Sequence, residues 1–166
     1  MLNSLDAIRN FVQLTPRIGT AGQPSENQFQ LIADAGYKTV INIAMPDHPD
    51  SIDHEGKLVT ELGMNYLHLP VPFDQPKADH VKQFFGLLQA QSEQPVFVHC
   101  IMNYRVSAFM YHYLTLIEYW PRDRARSPMF EQWKIEPQWQ AIMDLSADQL
   151  GFWEDNNNVR RSSRMP

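Results

Sequence analysis

Residues 95–109, PVFVHCIMNYRVSAF, decide the fold. Val96 to His99 form a short, almost wholly apolar run, the kind of strand that lies at the centre of a parallel sheet and is buried on both faces. From Arg105 the pattern turns helical and runs to about Tyr119, just before Pro121. Between the two lies a short loop that opens with Cys100, the one cysteine in the chain. In an open α/β sheet, ligands bind beyond the carboxyl ends of the strands, and that is where this loop falls.

Working outward, the flanking segments repeat the alternation. QPSENQFQLIADAG reads as a helix: Ser25 can cap it with Gln28 three residues on, Phe29, Ile32 and Ala33 share a face, and Gly36 suits a left-handed stop. YKTVINIA follows as a strand, and MPDHPDSID as a loop dense in Pro and Asp. A helix is expected from about Ser51 to Leu62, ended by Gly63, and then a strand in MNYLHLPV. After the PFDQP loop, KADHVKQFFGLLQAQ places Val81, Phe84, Phe85 and Leu88 at helical spacing. Strands alternating with helices predict an α/β protein: a mostly parallel central sheet flanked by helices in three layers. The last third, with Trp120, Trp133, Trp139 and Trp153, reads as further helices packed over the sheet. One domain over residues 1–155 and a disordered polar tail over 156–166 are expected.

Composition narrows the function. The 166 residues carry a net charge of −5, with 43% hydrophobic and 20% charged residues. That balance argues against a broad nucleic-acid surface, and no apolar run approaches the ~18 residues of a membrane span. The start, MLNSLDAIRNFVQLTPR, does not read as a signal peptide. With a single cysteine there is no internal disulfide, which suits a cytoplasmic protein. His48, His54, His68 and His80 lack metal-ligand spacing, so neither a metal nor another cofactor is expected. The oligomeric state is not legible.

The loop itself carries chemistry. Free N–H groups at a helix start form an anion site, and the same positive end favours a thiolate, lowering a cysteine pKa well below its free value of about 8.5. Arg105 offers a two-pronged fork for phosphate oxygens. A thiolate, a nest of N–H groups and an arginine are the parts needed to attack phosphorus and hold its oxygens.

On these residues the sequence resembles the cysteine-dependent protein tyrosine and dual-specificity phosphatases. VHC after an apolar strand, then a short loop, an arginine and a helix, carries the resemblance. TAGQPSENQFQLIADAGYKTVINIA and ELGMNYLHLPV extend it toward the bacterial dual-specificity-like phosphatases, over roughly residues 15–120. The resemblance implies a phosphomonoester hydrolase with a cysteinyl-phosphate intermediate, acting on a phosphorylated small molecule or a phosphoprotein. Cys100 then matches the nucleophile, and His99 matches the histidine that orients the loop. Cys100, Ile101, Met102, Asn103, Tyr104 and Arg105 match the phosphate-binding loop, Asp74 the general acid, and Ser107 the hydroxyl helper. Asn103 stands where the family usually has glycine, and asparagine tolerates a left-handed backbone.

Two departures matter. The family's loop is Cys, five residues, Arg, whereas here four residues intervene. Either a loop residue is missing, or Val106 takes the usual arginine place and Arg105 reaches in beside it. Relatives also often carry an arginine after the INIA strand, where Ala44 and Met45 stand here. The shorter spacing resembles the Cys-x-x-Gly-x-Arg loop of rhodanese-type sulfurtransferases, so a sulfurtransferase is the alternative. A non-catalytic anion- or phosphoprotein-binding module is a third. Asp47, Asp50 and Asp53 compete with Asp74 for the acid role, and PRDRARSP, with its three arginines, reads as a solvated loop.

Overall fold

The structure is a computed structural model that describes residues 4–152. Five strands form the sheet: β1 (Val12–Gln13), β2 (Ile18–Ala21), β3 (Thr39–Asn42), β4 (Asn65–His68) and β5 (Val96–His99). Their spatial order is β1-β2-β5-β3-β4, with β1 antiparallel to β2 and every other pair parallel. The apolar VFVH strand is therefore central, as its composition requires. Ala21 and Asn42 both pair with His99, and Asn42 pairs with His68, so four strands end at one edge.

Helices α1 (Gln28–Asp34), α2 (Glu55–Glu61), α3 (Ala78–Ala90), α4 (Tyr104–Leu116), α5 (Arg122–Ala125), α6 (Met129–Gln132) and α7 (Pro137–Met143) cover both faces. The period-2 alternation of β5 assigns its side chains to the two layers. Val96 and Val98 pack with Phe84, Phe85 and Leu88 of α3, Phe109 of α4 and Trp139 of α7. Phe97 packs on the other face with Phe29 and Ile32 of α1 and Val59 of α2. His99, two residues on, faces the same side as Phe97, toward α1 and α2. Cys100 belongs to the opposite core.

The expected α/β architecture is the observed one, with local differences. Gly36 and Gly63 hold the left-handed stops, at φ 91° and 84°. The Gln28 side chain reaches back to the Ser25 N–H at 2.9 Å, but Ser25 makes no return bond and α1 starts later, after Asn27. The expected helix from Ser51 begins only at Glu55. The α4 helix ends at Leu116, and Tyr119 turns left-handed at φ 56°. PRDRARSP is not wholly loop, since its Arg122–Ala125 turn is helical and buries Ala125. Strands β1 and β2 had no counterpart in the expected elements. The proposed tail, and Trp153, lie outside the described residues. No described helix is long and apolar enough to cross a membrane.

Candidate active site

Cys100 sits at the carboxyl end of the central strand, 1% exposed, its N–H donating to the Ala21 oxygen at 3.3 Å. The following residues curl into a loop whose outer edge touches the extension of β2. Gln23 N–H donates to the Ile101 oxygen at 3.0 Å, and Gly22 bridges Met102. A Cβ at Gly22 would collide with the Ile101 carbonyl oxygen, so this approach requires glycine.

Asn103 closes the loop at φ 68° and stands at the N-cap position of α4, with no capping bond from its side chain. It is 0% exposed, and its Nδ2 donates to the Asn10 oxygen at 2.8 Å and to Thr20 Oγ1 at 3.1 Å. Asn10 in turn donates from Nδ2 to the Met102 oxygen at 2.9 Å. The segment before β1 thus braces the loop from outside. The Ser107 hydroxyl donates to the Asn103 oxygen. Among the described residues, no acceptor pairs with the N–H groups of Ile101, Tyr104, Arg105 and Val106, the orphan donors of a loop and a first helical turn.

Cys100 and Arg105 line one cavity of about 230 Å³ with His48, Phe73, Ile101, Met102 and Tyr104. Arg105, and not Val106, is the residue that reaches the cysteine's cavity; Val106 is fully buried in the core. The Arg105 guanidinium donates from Nη1 to the Val71 oxygen at 2.8 Å and lies 5.8 Å from the Phe73 ring centre. Trp139 Nε1 holds the Phe73 oxygen at 2.8 Å. The loop between β4 and α3 is therefore fastened on both sides of Phe73. Asp74 follows, exposed, and does not line the cavity.

Of the competing carboxylates, Asp50 is engaged by Arg9 at 2.8 Å, and that hydrogen bond holds it below the usual carboxylate range. Asp47 and Asp53 are exposed on the loop before α2. His48 on that loop lines the cavity, and its Nδ1 accepts the Asp50 N–H at 3.0 Å.

Around His99, which the sequence singled out, lies a polar network whose other members, Glu55, Gln23 and Asn42, sequence reasoning missed. His99 Nε2 donates to Glu55 Oε2 at 2.9 Å, and its Nδ1 donates to the Cys100 oxygen at 3.1 Å. Gln23 and Asn42 also donate to Glu55, at 2.6 and 3.0 Å. Burial alone would raise the Glu55 carboxyl, but the His99 charge and these donors outweigh it and hold it below its usual range. The described residues contain no group of His, Cys, Asp and Glu that could hold a metal ion.

Known proteins share this architecture. The family model described as a DSP-PTPase phosphatase fused to NAD+ kinase matches residues 12–127. Among solved structures, a candidate phosphatase (DUF442) from Shewanella putrefaciens CN-32 is 37% identical, with a TM-score of 0.77, covering 84% of this chain and 91% of its own. TpbA of P. aeruginosa is 20% identical, with a TM-score of 0.68 and coverage of 87% and 91%. The core catalytic domain of the PP-IP phosphatase SIW14 from S. cerevisiae is 14% identical, with a TM-score of 0.67 and coverage of 91% and 94%. The last two show the fold alone. No curated protein matches the chain. The extent of the family match, with the identity to the Shewanella protein, makes the chain a member of the DSP-PTPase family of cysteine-dependent phosphatase-like proteins.

Proposed function

We propose that the protein hydrolyses phosphomonoesters through a phosphorylated Cys100. One observation supports the reading: Cys100 and Arg105 line the same cavity with Ile101 and Tyr104, whose N–H groups have no partner among the described residues. The Cys100 thiolate attacks phosphorus, forming the S–P bond as the ester P–O bond breaks. Asp74 gives its proton to the departing oxygen. Water then attacks the cysteinyl-phosphate, its proton passing to the same carboxylate, and the thiolate is restored. The loop N–H groups and the free arms of Arg105 hold the phosphoryl oxygens as charge builds on them. Ser107, with its proton on the Asn103 oxygen, steadies the loop. Phe73, Ile101, Met102 and Tyr104 give the cavity an apolar wall suited to an aromatic phosphate. The substrate is a phosphorylated small molecule or phosphoprotein, and the setting is cytoplasmic.

The test uses p-nitrophenyl phosphate and, separately, thiosulfate with cyanide, on wild type and Cys100→Ser. Slow phosphate release that vanishes in Cys100→Ser is expected; the loop is one residue shorter than the family's, and one misplaced donor costs roughly 10²–10³ in rate. Thiocyanate formation without phosphate release would replace this reading with a sulfurtransferase. Neither activity, with phosphate still bound at the loop, would leave a binding module.

A further inference from the structure

The Cys100 loop rests on a buried Glu55–His99 contact that takes no direct part in the reaction above. Glu55 opens α2 at 2% exposure, and His99 ends β5 at 0%. Both ring nitrogens of His99 face acceptors: the Glu55 carboxylate at 2.9 Å and the Cys100 carbonyl oxygen at 3.1 Å. A neutral imidazole has one N–H, so only the imidazolium satisfies both. A buried imidazolium needs a counter-charge, and Glu55 is the partner in contact with it. Gln23 donates to one carboxylate oxygen and Asn42 to the other, which fixes the carboxylate's orientation.

The pair shapes the loop through one peptide. The Cys100–Ile101 unit is planar and trans, so its C=O and N–H point in opposite directions. Drawing the oxygen toward His99 turns the Ile101 N–H the other way, and that N–H is one of the unpartnered donors. The imidazolium is bound to the cysteine's own carbonyl oxygen, with the carboxylate held at the ring's other nitrogen. Of the pair, the cationic ring is the member in contact with Cys100.

We propose that Glu55 is a positioning residue of this centre: by keeping His99 doubly protonated, it aims the Ile101 N–H into the loop and holds positive charge against the Cys100 peptide. The proposal rests on Cys100 being the nucleophile.

The other groups around the pair and the thiol are few. Tyr66 of β4 lies beside Glu55; its hydroxyl, raised by burial and by the Glu55 charge, accepts from Asn42 of β3. From α1 comes only the apolar ring of Phe29, edge-on to His99. Arg105 of α4 and His48 of the loop before α2 line the thiol's cavity with Phe73, and Asp74 is exposed next to Phe73.

Variants at Glu55 separate charge from shape. Glu55→Gln can donate to His99 Nε2, so a neutral His99 keeps its Nδ1–H on the Cys100 oxygen; the geometry survives and the charge is lost. Glu55→Leu loses both, and Glu55→Asp keeps the charge at shorter reach. The readouts are the rate of Cys100 alkylation by iodoacetamide against pH, and kcat and KM for p-nitrophenyl phosphate. In Glu55→Gln the alkylation profile should move to higher pH, and kcat should fall roughly 10–100-fold, somewhat less than the loss of an aligned donor, with KM nearly unchanged. Glu55→Leu should be worse, and Glu55→Asp should recover part of both.

A wild-type pH profile and kcat in folded Glu55→Gln would overturn the proposal. Alkylation needs no turnover, so this arm holds even if Cys100→Ser retains hydrolysis and the catalytic reading fails. If the variants do not fold, ¹⁵N NMR of wild-type His99 decides. Two protonated ring nitrogens at neutral pH are expected, and a single protonated nitrogen would contradict the proposal.

Discussion

Asn103 is the residue on which the loop turns. Its φ of 68° would cost most L-residues about 1–2 kcal/mol, and asparagine less. Its amide also makes two hydrogen bonds, one part-buried to Asn10 and one buried to Thr20, worth roughly 0.5–1.5 kcal/mol each. Asn103→Gly loses the bonds but keeps the conformation, whereas Asn103→Ala loses both. The alanine variant should therefore be less stable than the glycine variant by about 1 kcal/mol in urea unfolding; the reverse order would show that the left-handed backbone is not what asparagine supplies. At this scale the sequence was partly readable. Cys100 and Arg105 stood out by spacing, and the tolerance of Asn103 for left-handed backbone was foreseen. Its partners were not, because Asn10 and Thr20 lie 93 and 83 residues away. Glu55 was hidden for a related reason: an acidic residue in the first turn of a helix looks like solvated surface until the fold puts β5 behind it.

Among the elements, the loop from β4 to α3 matters most for turnover. Arg105 holds it at Val71 and Trp139 at Phe73, so Asp74 hangs from a fixed support next to the cavity. Asp74→Asn should lower kcat by about 10²–10³ on an alkyl phosphate and far less on p-nitrophenyl phosphate, whose leaving group needs little protonation. Full activity of Asp74→Asn on the alkyl ester would transfer the acid role elsewhere, with His48 next because it lines the cavity. The long helix α3 and the central strand β5 were legible because each carries a complete apolar pattern; Val81, Phe84, Phe85 and Leu88 are all buried. Strand β2 was not, since IGTA is short and interrupted by Gly19, and that glycine is required where the Tyr37 ring presses on the strand. Pairing with β5, not local propensity, makes it a strand.

For the whole molecule, acid stability reports on burial. His112 of α4 is 1% exposed against Phe85, and burial pushes its pKa down to about 4 from 6.5, with Asp144 opposing weakly. Between pH 6.5 and 4 the unfolded chain therefore binds a proton that the native state refuses, so stability falls as pH falls through that window, by at most about 3–4 kcal/mol. Glu55 adds a loss below its ordinary 4.5, since its depressed carboxyl stabilises the fold only while ionised. Replacing His112 with Leu removes a ring whose Nε2 has no partner among the described residues, and should flatten the Tm–pH curve above pH 4.5 without lowering Tm at neutrality. An unchanged slope would place the titrating group elsewhere. The same sheet that buries His112 delivers four strand ends to one edge, and the central claim is that Cys100 on that edge takes a phosphoryl group. Rapid acid quench during turnover of p-nitrophenyl phosphate, followed by mass spectrometry of the intact chain and its peptides, measures this directly. A single phosphoryl adduct on the Cys100 peptide, absent in Cys100→Ser, is the expected result; steady phosphate release with no adduct on Cys100, or release undiminished in Cys100→Ser, would contradict it.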